Sequence, residues 1–465
     1  MRYLLSYIFL FLFSGYVFAD DKPAYSGTLP VLYINTEGGQ AIVSKEDYIN
    51  ATCYLDALGI EGYESLGSSN SPISLQIRGR GNWTWTYFDK KPYRIKFSEK
   101  VSLLGLNKNK HFVLLAHADD RVGFLRNTVG FEISRLMKFS WTPEQRPLEV
   151  VLNGEYIGLY FLMENIRVDK NRVNITEQKD RETNAELVTG GWLVEIDNYE
   201  DPNQISVDVS GTNLTSLRIT YHSPETLSDI QKDYLVSQFN QIKNEIYIAD
   251  KSSTAWEELI DIESLARYYV LSEAIDHIEA FQGSCYMYKD LNEKQWKFGP
   301  VWDFGHAFNG FHSKQKYIYD YPEWDHCIIE EIVKFPHFQE YVEKVWREFC
   351  IDIYPKMDQL IDDFVREIEI AAMYDAACWP QYGNADERAA AETVKQRFSE
   401  KIQWLSTQWG DYASINETIN ERQVKTSNRY DLSGRRINNN HSHKIIIIDS
   451  KGKYINKVTK RKMLF

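Results

Sequence analysis

The chain has 465 residues, 43% of them hydrophobic, with 25 glycines and 13 prolines, a balance that excludes disorder and gives enough apolar surface for roughly three domains or one large domain with additions. A net charge of −13 excludes a nucleic-acid binder, because phosphate affinity requires a basic face. The five cysteines (Cys53, Cys285, Cys327, Cys350, Cys378) are too few and odd in number for a disulfide-built fold, and no CxxC or paired His/Cys spacing points to zinc.

Residues 1–19 run from Met1-Arg2-Tyr3 through LLSYIFLFLF to Val17-Phe18-Ala19, ahead of Asp20-Asp21, the pattern of a cleaved secretory signal peptide. The apolar run is too short and too poorly flanked for a stable span, and later apolar runs are interrupted by charges, so no transmembrane anchor is expected. The protein is expected to be secreted, periplasmic or extracellular at the cell surface.

Residues 20–70 read as a β-rich segment, with LPVLYINT and ATCYLDA, and SPISLQIRG just beyond, separated by Gly, Asn and Ser. Ile77 leads into the glycine-bearing turn Arg78-Gly79-Arg80-Gly81-Asn82-Trp83. Lys90-Lys91-Pro92 then opens a strictly alternating strand, Tyr93–Phe97, with Arg94 and Lys96 on one face. A helix is predicted over Leu125–Lys138. Two strands, Leu148–Leu152 and Tyr156–Met163, flank the hairpin signal Asn153-Gly154. Gly191–Asp197 adds a further β unit, Asn198–Ser223 a loop-and-strand insertion, and Asp229–Ile248 an amphipathic helix. Glu340–Glu369 and Ala385–Trp404 are predicted helical, 412–427 a linker, and 428–465 a small β-rich tail.

The central stretch carries the chemistry. An apolar-periodic helix (Ile262, Leu265, Tyr269, Ser272, Ile275) ends at Asp276, and two aromatic β runs, Cys285–Tyr288 and Trp296–Trp302, form a hairpin that exits into Asp303-Phe304-Gly305. A carboxylate after a helix, a hairpin, and a second carboxylate at its exit is the order of parts that protein kinases use, the first Asp orienting the acceptor hydroxyl and the second holding metal on the phosphates. Such a site needs a cationic clamp, for which Arg78, Lys91, Arg94, Lys96 and Arg126 are candidates. Phe161–Ile166 ends a strand and enters a polar segment, which fits either a kinase hinge, with backbone near Met163 and Glu164 facing adenine, or a strand running out into a loop. No GxSxG or HExxH motif occurs.

Taken in order, IRGRGNW with KKPYRIKF, LLGL, LLAHADD with LRN, VVLNGEYIGLYFLMENI, GGWLVEID, AIDHIEAFQGSCYMYKD and GPVWDFGHAFN resemble the spore coat protein H-like (CotH) kinase family. The resemblance implies an α+β, atypical protein-kinase-like two-lobed fold over residues 71–411, binding ATP with Mg²⁺ or Mn²⁺ and phosphorylating Ser on a protein substrate. It matches Asp276 to the catalytic aspartate and Asp303 to the metal-binding one; Lys91 or Lys96 is expected to contact phosphate, and the clamp and hinge readings add Arg78, Arg126, Met163 and Glu164 around the nucleotide. Many relatives carry a second Asp where this chain has Gly305, and often Asn where it has Ser284, so one metal-ligating group is replaced by a shorter, neutral oxygen. The tail YDLSGRRI…GKYINKV is similar to the β-rich sorting tails of type IX secreted proteins.

Two other functions fit the same residues. One is a catalytically impaired surface or structural binding protein that keeps the fold. The other is a carbohydrate-active protein, suggested by 30 Tyr, 23 Phe and 12 Trp as sugar-stacking platforms, with Glu164, Glu195 or Asp197 as its carboxylates.

Overall fold

Alternation along the first strands decides the architecture of the N-terminal part. In the computed structural model, which describes residues 25–209, 216–308, 315–321, 328–383 and 386–413 with the backbone of three short strands beyond, the chain is mixed α+β. It divides into two compact units, the first made of residues 1–123, 144–165 and 365–388 and the second of 124–143, 166–364 and 389–465. The signal-peptide reading of residues 1–19 and most of the linker and tail lie outside the described residues. Beyond 413, Arg429–Tyr430, Ile446–Ile448 and Tyr454–Ile455 pair as a three-stranded antiparallel sheet. Among the described residues no helix is long and apolar enough to cross a membrane.

The first unit is built on seven strands: β1 (Val31–Thr36), β2 (Ile49–Asp56), β3 (Ile73–Gly79), β4 (Tyr93–Val101), β5 (Asn109–Leu115), β6 (Gln145–Leu152) and β7 (Glu155–Glu164). They close a barrel in the order β1-β2-β3-β4-β5-β7-β6, antiparallel throughout except where β1 meets β6. Closure removes the sheet edges that would otherwise invite aggregation. Alternate residues such as Ile34, Leu55, Ile77, Ile95, Phe112, Val150 and Leu162 fill the interior. The expected boundary at residue 70 falls between β2 and β3, which pair directly from Ile49↔Ile77 to Cys53↔Ile73. At the β6–β7 hairpin, Asn153 and Gly154 take φ of 53° and 84°, the left-handed pair that a two-residue hairpin turn requires. Between β3 and β4 a short helix, α1 (Trp83–Tyr87), follows the predicted glycine turn.

The second unit holds a five-stranded sheet of β8 (Trp192–Ile196), β9 (Gln204–Asp208), β10 (Ser216–Ser223), β11 (Cys285–Lys289) and β12 (Lys297–Phe298), in the order β12-β11-β8-β10-β9. Its helices include α2 (Leu125–Leu136), α3 (Asp229–Lys243), α4 (Ile262–Ala274), α5 (Ile329–Ile332) and α6 (Pro336–Glu348). Ser228 and Gln231 form a capping box that starts α3, and Asp261 accepts from the Ser264 N–H to start α4. The continuous helix expected over Glu340–Glu369 is interrupted after α6 by a π turn, Phe349–Ile353, and a tight turn holding Pro355, before α7 (Met357–Cys378) begins. Proline cannot donate the amide that a continuing helix needs. The last long helix, α8, spans Glu387–Trp409.

Candidate active site

Both sequence-predicted carboxylates, Asp276 and Asp303, lie in the second unit. Helix α4 stops at Ala274, and Asp276 follows with φ of 54°. That left-handed backbone is uncommon for a residue with a Cβ, and Ser284 (50°) and Asp303 (53°) share it. The Phe308 N–H donates to the Ile275 carbonyl at 2.8 Å, which ties the turn after Asp303 to the end of α4.

Asp276 is 1% exposed. Its Oδ1 lies 3.2 Å from Lys401 Nζ, which also sits 3.0 Å from Glu273 Oε2 and donates to the Lys316 carbonyl at 2.6 Å. The ammonium donates to Asp276 and to the Lys316 carbonyl, and Glu273 adds an ion pair. Two carboxylates against one ammonium leave an unbalanced negative charge in a dry place, and burial pushes the Glu273 carboxyl up despite the pull of Lys401. Asp276 Oδ2 is buried and has no hydrogen-bond partner among the described residues. One oxygen is thus pinned and the other is left to accept a proton or a hydroxyl.

Asp303 is exposed, while its neighbour Phe304 is anchored. The Phe304 N–H donates to Asn127 Oδ1 at 3.0 Å, and its ring stands edge-on to Phe131 and His277. That ring lies so close to Gly130 on α2 that any Cβ there would collide with it. Arg126 donates to the Gly305 carbonyl at 2.6 Å. The start of α2, read in the sequence as LRN, therefore grips the segment that presents Asp303.

Among the described residues no group of three or more His, Cys, Asp or Glu side chains is arranged to hold a metal. A magnesium ion held chiefly by phosphate oxygens needs only one or two carboxylates, and Asp303 is exposed and suited to that part. Around Gly283, next to Ser284, Glu279 Oε1, Asn198 Oδ1 and Asp197 Oδ1 approach to 3.3, 3.6 and 3.7 Å of where a Cβ would stand. Burial and then the charge of Glu195 push the Asp197 carboxyl up to about 7. Because this folded value is raised, the stabilising contribution is full below the ordinary Asp range and is lost as pH rises through about 7. Unfolding titrations at about pH 5 and about pH 8 should show the parent losing stability relative to Asp197→Asn across that window; parallel profiles would mean Asp197 titrates normally.

The first unit places the other predicted residues differently. Arg78 and Lys96 lie over the Tyr48 ring, with Ile77 and Ile95 of the same strands turned into the barrel, so the former pair faces outward. Lys91 donates to the Trp85 carbonyl at 2.6 Å. In this unit Lys90, not among the sequence-predicted site residues, is fully buried. Its Nζ lies 2.7 Å from Asp375 Oδ1 and donates to the Leu159 carbonyl at 2.7 Å. Burial lowers the pKa of Lys90 and raises that of Asp375, each against the pull of its partner. The bulge near Gly158 in β7 receives Asp375, whose Oδ1 accepts from the Leu159 N–H at 2.8 Å; a side chain at Gly158 would collide with that oxygen. Close by in charge, His117 of the LLAHADD run is held neutral, its pKa pulled down to about 3 by burial, Lys90 and Arg80.

Met163 and Glu164, read as a hinge in the sequence, are the last two residues of β7. Met163 stands opposite both Val113 and Gln145, and the Glu164 N–H donates to the Glu144 carbonyl. These contacts tie the end of β7 to its neighbours in the sheet.

The fold and site thus define a mixed α+β protein in which a helix end and a hairpin exit present two aspartates from one compact unit. The model of the CotH kinase protein family matches residues 77–409, and the chain belongs to that family. A solved structure described as "Crystal structure of the golgi casein kinase" is similar at 8% identity and a TM-score of 0.23, over 81% of this chain and 74% of that one. No curated protein matches the chain.

Proposed function

We propose that this protein is a secreted, metal-dependent phosphotransferase that moves a phosphoryl group from ATP to Ser on a protein substrate. The observation that carries the reading is Asp276: a buried carboxylate with one oxygen fixed by Lys401 and the other without a partner among the described residues. A general base needs that asymmetry, because the oxygen that accepts the hydroxyl proton must be held in place by something other than its substrate. Asp303, with its exposed carboxylate, would hold a divalent ion, which would supply positive charge to the phosphates, and Arg126 supports the same turn through the Gly305 carbonyl. When bound, the ion neutralises charge on the phosphoryl group. Membership of the kinase family and the reading of residues 1–19 as a signal peptide support the donor and the location respectively.

A second reading, a binding protein with little turnover, is favoured by Gly305 and Ser284, which contribute a carbonyl and a hydroxyl where relatives are expected to carry an acid and an amide. Thermal unfolding separates the readings from a sugar-binding protein: ATP with Mg²⁺ or Mn²⁺ should raise the melting temperature and an oligosaccharide panel should not. Asp303→Ala is expected to abolish the metal-dependent part of that shift while leaving the unliganded melting temperature unchanged, since an exposed carboxylate contributes little to the core. A variant that binds metal–nucleotide as tightly as the parent would remove Asp303 from the site.

A further inference from the structure

The turn that follows Asp303 is gripped by two arginines from different helices. Arg126, in the first turn of α2, donates to the Gly305 carbonyl at 2.6 Å, and Arg397, on α8, donates to the Phe308 carbonyl at 2.6 Å. The Ala307 N–H closes the turn on the Phe304 carbonyl and the Phe308 N–H ties it to Ile275, so both guanidinium groups meet a supported segment four residues long, Gly305 to Phe308. Both side chains are half-buried, neither fully hidden nor lying loose on the surface. The two accepting carbonyls are three positions apart on one turn, so the two guanidinium groups are held near one another. Burial and then the charge of Arg126 lower the pKa of Arg397, while Glu400 pulls it the other way.

We infer that Arg126 and Arg397 form an oxyanion site beside Asp303 that takes the terminal phosphate of the phosphoryl donor. Planar guanidinium forks suit a tetrahedral phosphate, which accepts paired N–H bonds from each. Among the described residues Arg397 spends one donor on Phe308, and the guanidinium carries five. The carbonyl contacts fix the direction of each fork before ligand arrives, so binding need not order two long side chains. The inference rests on the phosphotransfer reading for the identity of the ligand, whereas the anion site itself rests on the geometry of the two arginines. It gives α8 a second role: the same helix supplies Lys401 to Asp276 and Arg397 to the phosphate, four residues apart and on one side of a helical turn.

The test measures affinity for inorganic phosphate, ADP with Mg²⁺ and ATP with Mg²⁺ on the full chain and on Arg397→Gln and Arg397→Lys. Arg397→Gln should weaken inorganic phosphate and ATP by about tenfold or more while ADP stays within about twofold, because only the terminal phosphate meets the fork. Arg397→Lys keeps the charge and one donor to Phe308 but loses the fork, so it should fall between the two. Its unchanged circular dichroism and melting temperature would show that the turn is intact. Parent-like phosphate and ATP affinity in Arg397→Gln, or no phosphate binding by the parent, would overturn the site. If nucleotide binds normally and independently of Arg397, the phosphotransfer reading survives and this inference fails. If nucleotide never binds but phosphate does, in an Arg397-dependent way, the anion site stands and the donor is something other than ATP.

Discussion

Lys401→Met is expected to destabilise the protein by about 3–5 kcal/mol, the cost of leaving buried charges without their counter-ion. Lys401 is 1% exposed on its side chain and faces Glu273 and Asp276, exposed by 0% and 2%. Methionine fills nearly the same volume, so packing loss is small and the electrostatic loss dominates. Chemical denaturation measures the difference, and the double variant Lys401→Met with Glu273→Gln should recover part of it by removing one of the stranded charges. A loss below about 1 kcal/mol would mean that the carboxylates take up protons or water at no cost, and that Lys401 does not hold Asp276.

Asp276→Asn should separate binding from chemistry. The amide oxygen still accepts from Lys401, so the end of α4 keeps its geometry and nucleotide affinity should remain within a few-fold of the parent. What is lost is the anionic oxygen without a partner, and with it the proton acceptor; transfer of labelled phosphate should fall by about 10²-fold or more, on the usual scale of general-base catalysis. Equal transfer by parent and variant would take Asp276 out of the mechanism. Nucleotide binding without any transfer by the parent would favour the binding-protein reading that Gly305 and Ser284 suggest.

The pieces of the site that were legible in the sequence are those with local signals. The apolar period of α4, the first aromatic run and the Asn153-Gly154 turn appear where expected, because each is written in neighbouring residues, whereas the second run, expected over Trp296–Trp302, is a strand only at Lys297–Phe298. Asp276 and Asp303 could be named because they punctuate those elements. Strand β5 was harder to see, since its polar start, Asn109-Lys110-His111, precedes a run buried on both faces with no alternation. Lys90 was missed in favour of Lys91 and Lys96 because it lies ahead of β4, where strand alternation carries no information about facing.

Lys401 and Asp375 did leave a trace that periodicity could have caught. On α8, Val394, Phe398, Ile402, Leu405 and Trp409 are buried, and Lys401 interrupts that stripe at helical spacing. On α7, Ile361, Val365, Ile368 and Ala372 lead the same way to Asp375. A charge in the middle of an apolar stripe demands a buried counter-charge, but only the fold says which one. The arginines on the Asp303 turn were half visible: Arg126 was named as a phosphate contact, whereas Arg397 sits 94 positions beyond Asp303 with nothing in the sequence to pair them.

The Lys90–Asp375 pair also imposes an order on biosynthesis. Chains emerge from the ribosome amino-terminus first, and nascent segments fold as they become able to. All seven barrel strands are made once Glu164 is added, yet the carboxylate that neutralises Lys90 and receives the Leu159 amide belongs to residue 375. Throughout the translation of the intervening stretch, the barrel carries an ammonium it cannot afford to bury. The strands made first are therefore completed among the last, and a chain released early, short of α7, would have a barrel with its ammonium unanswered.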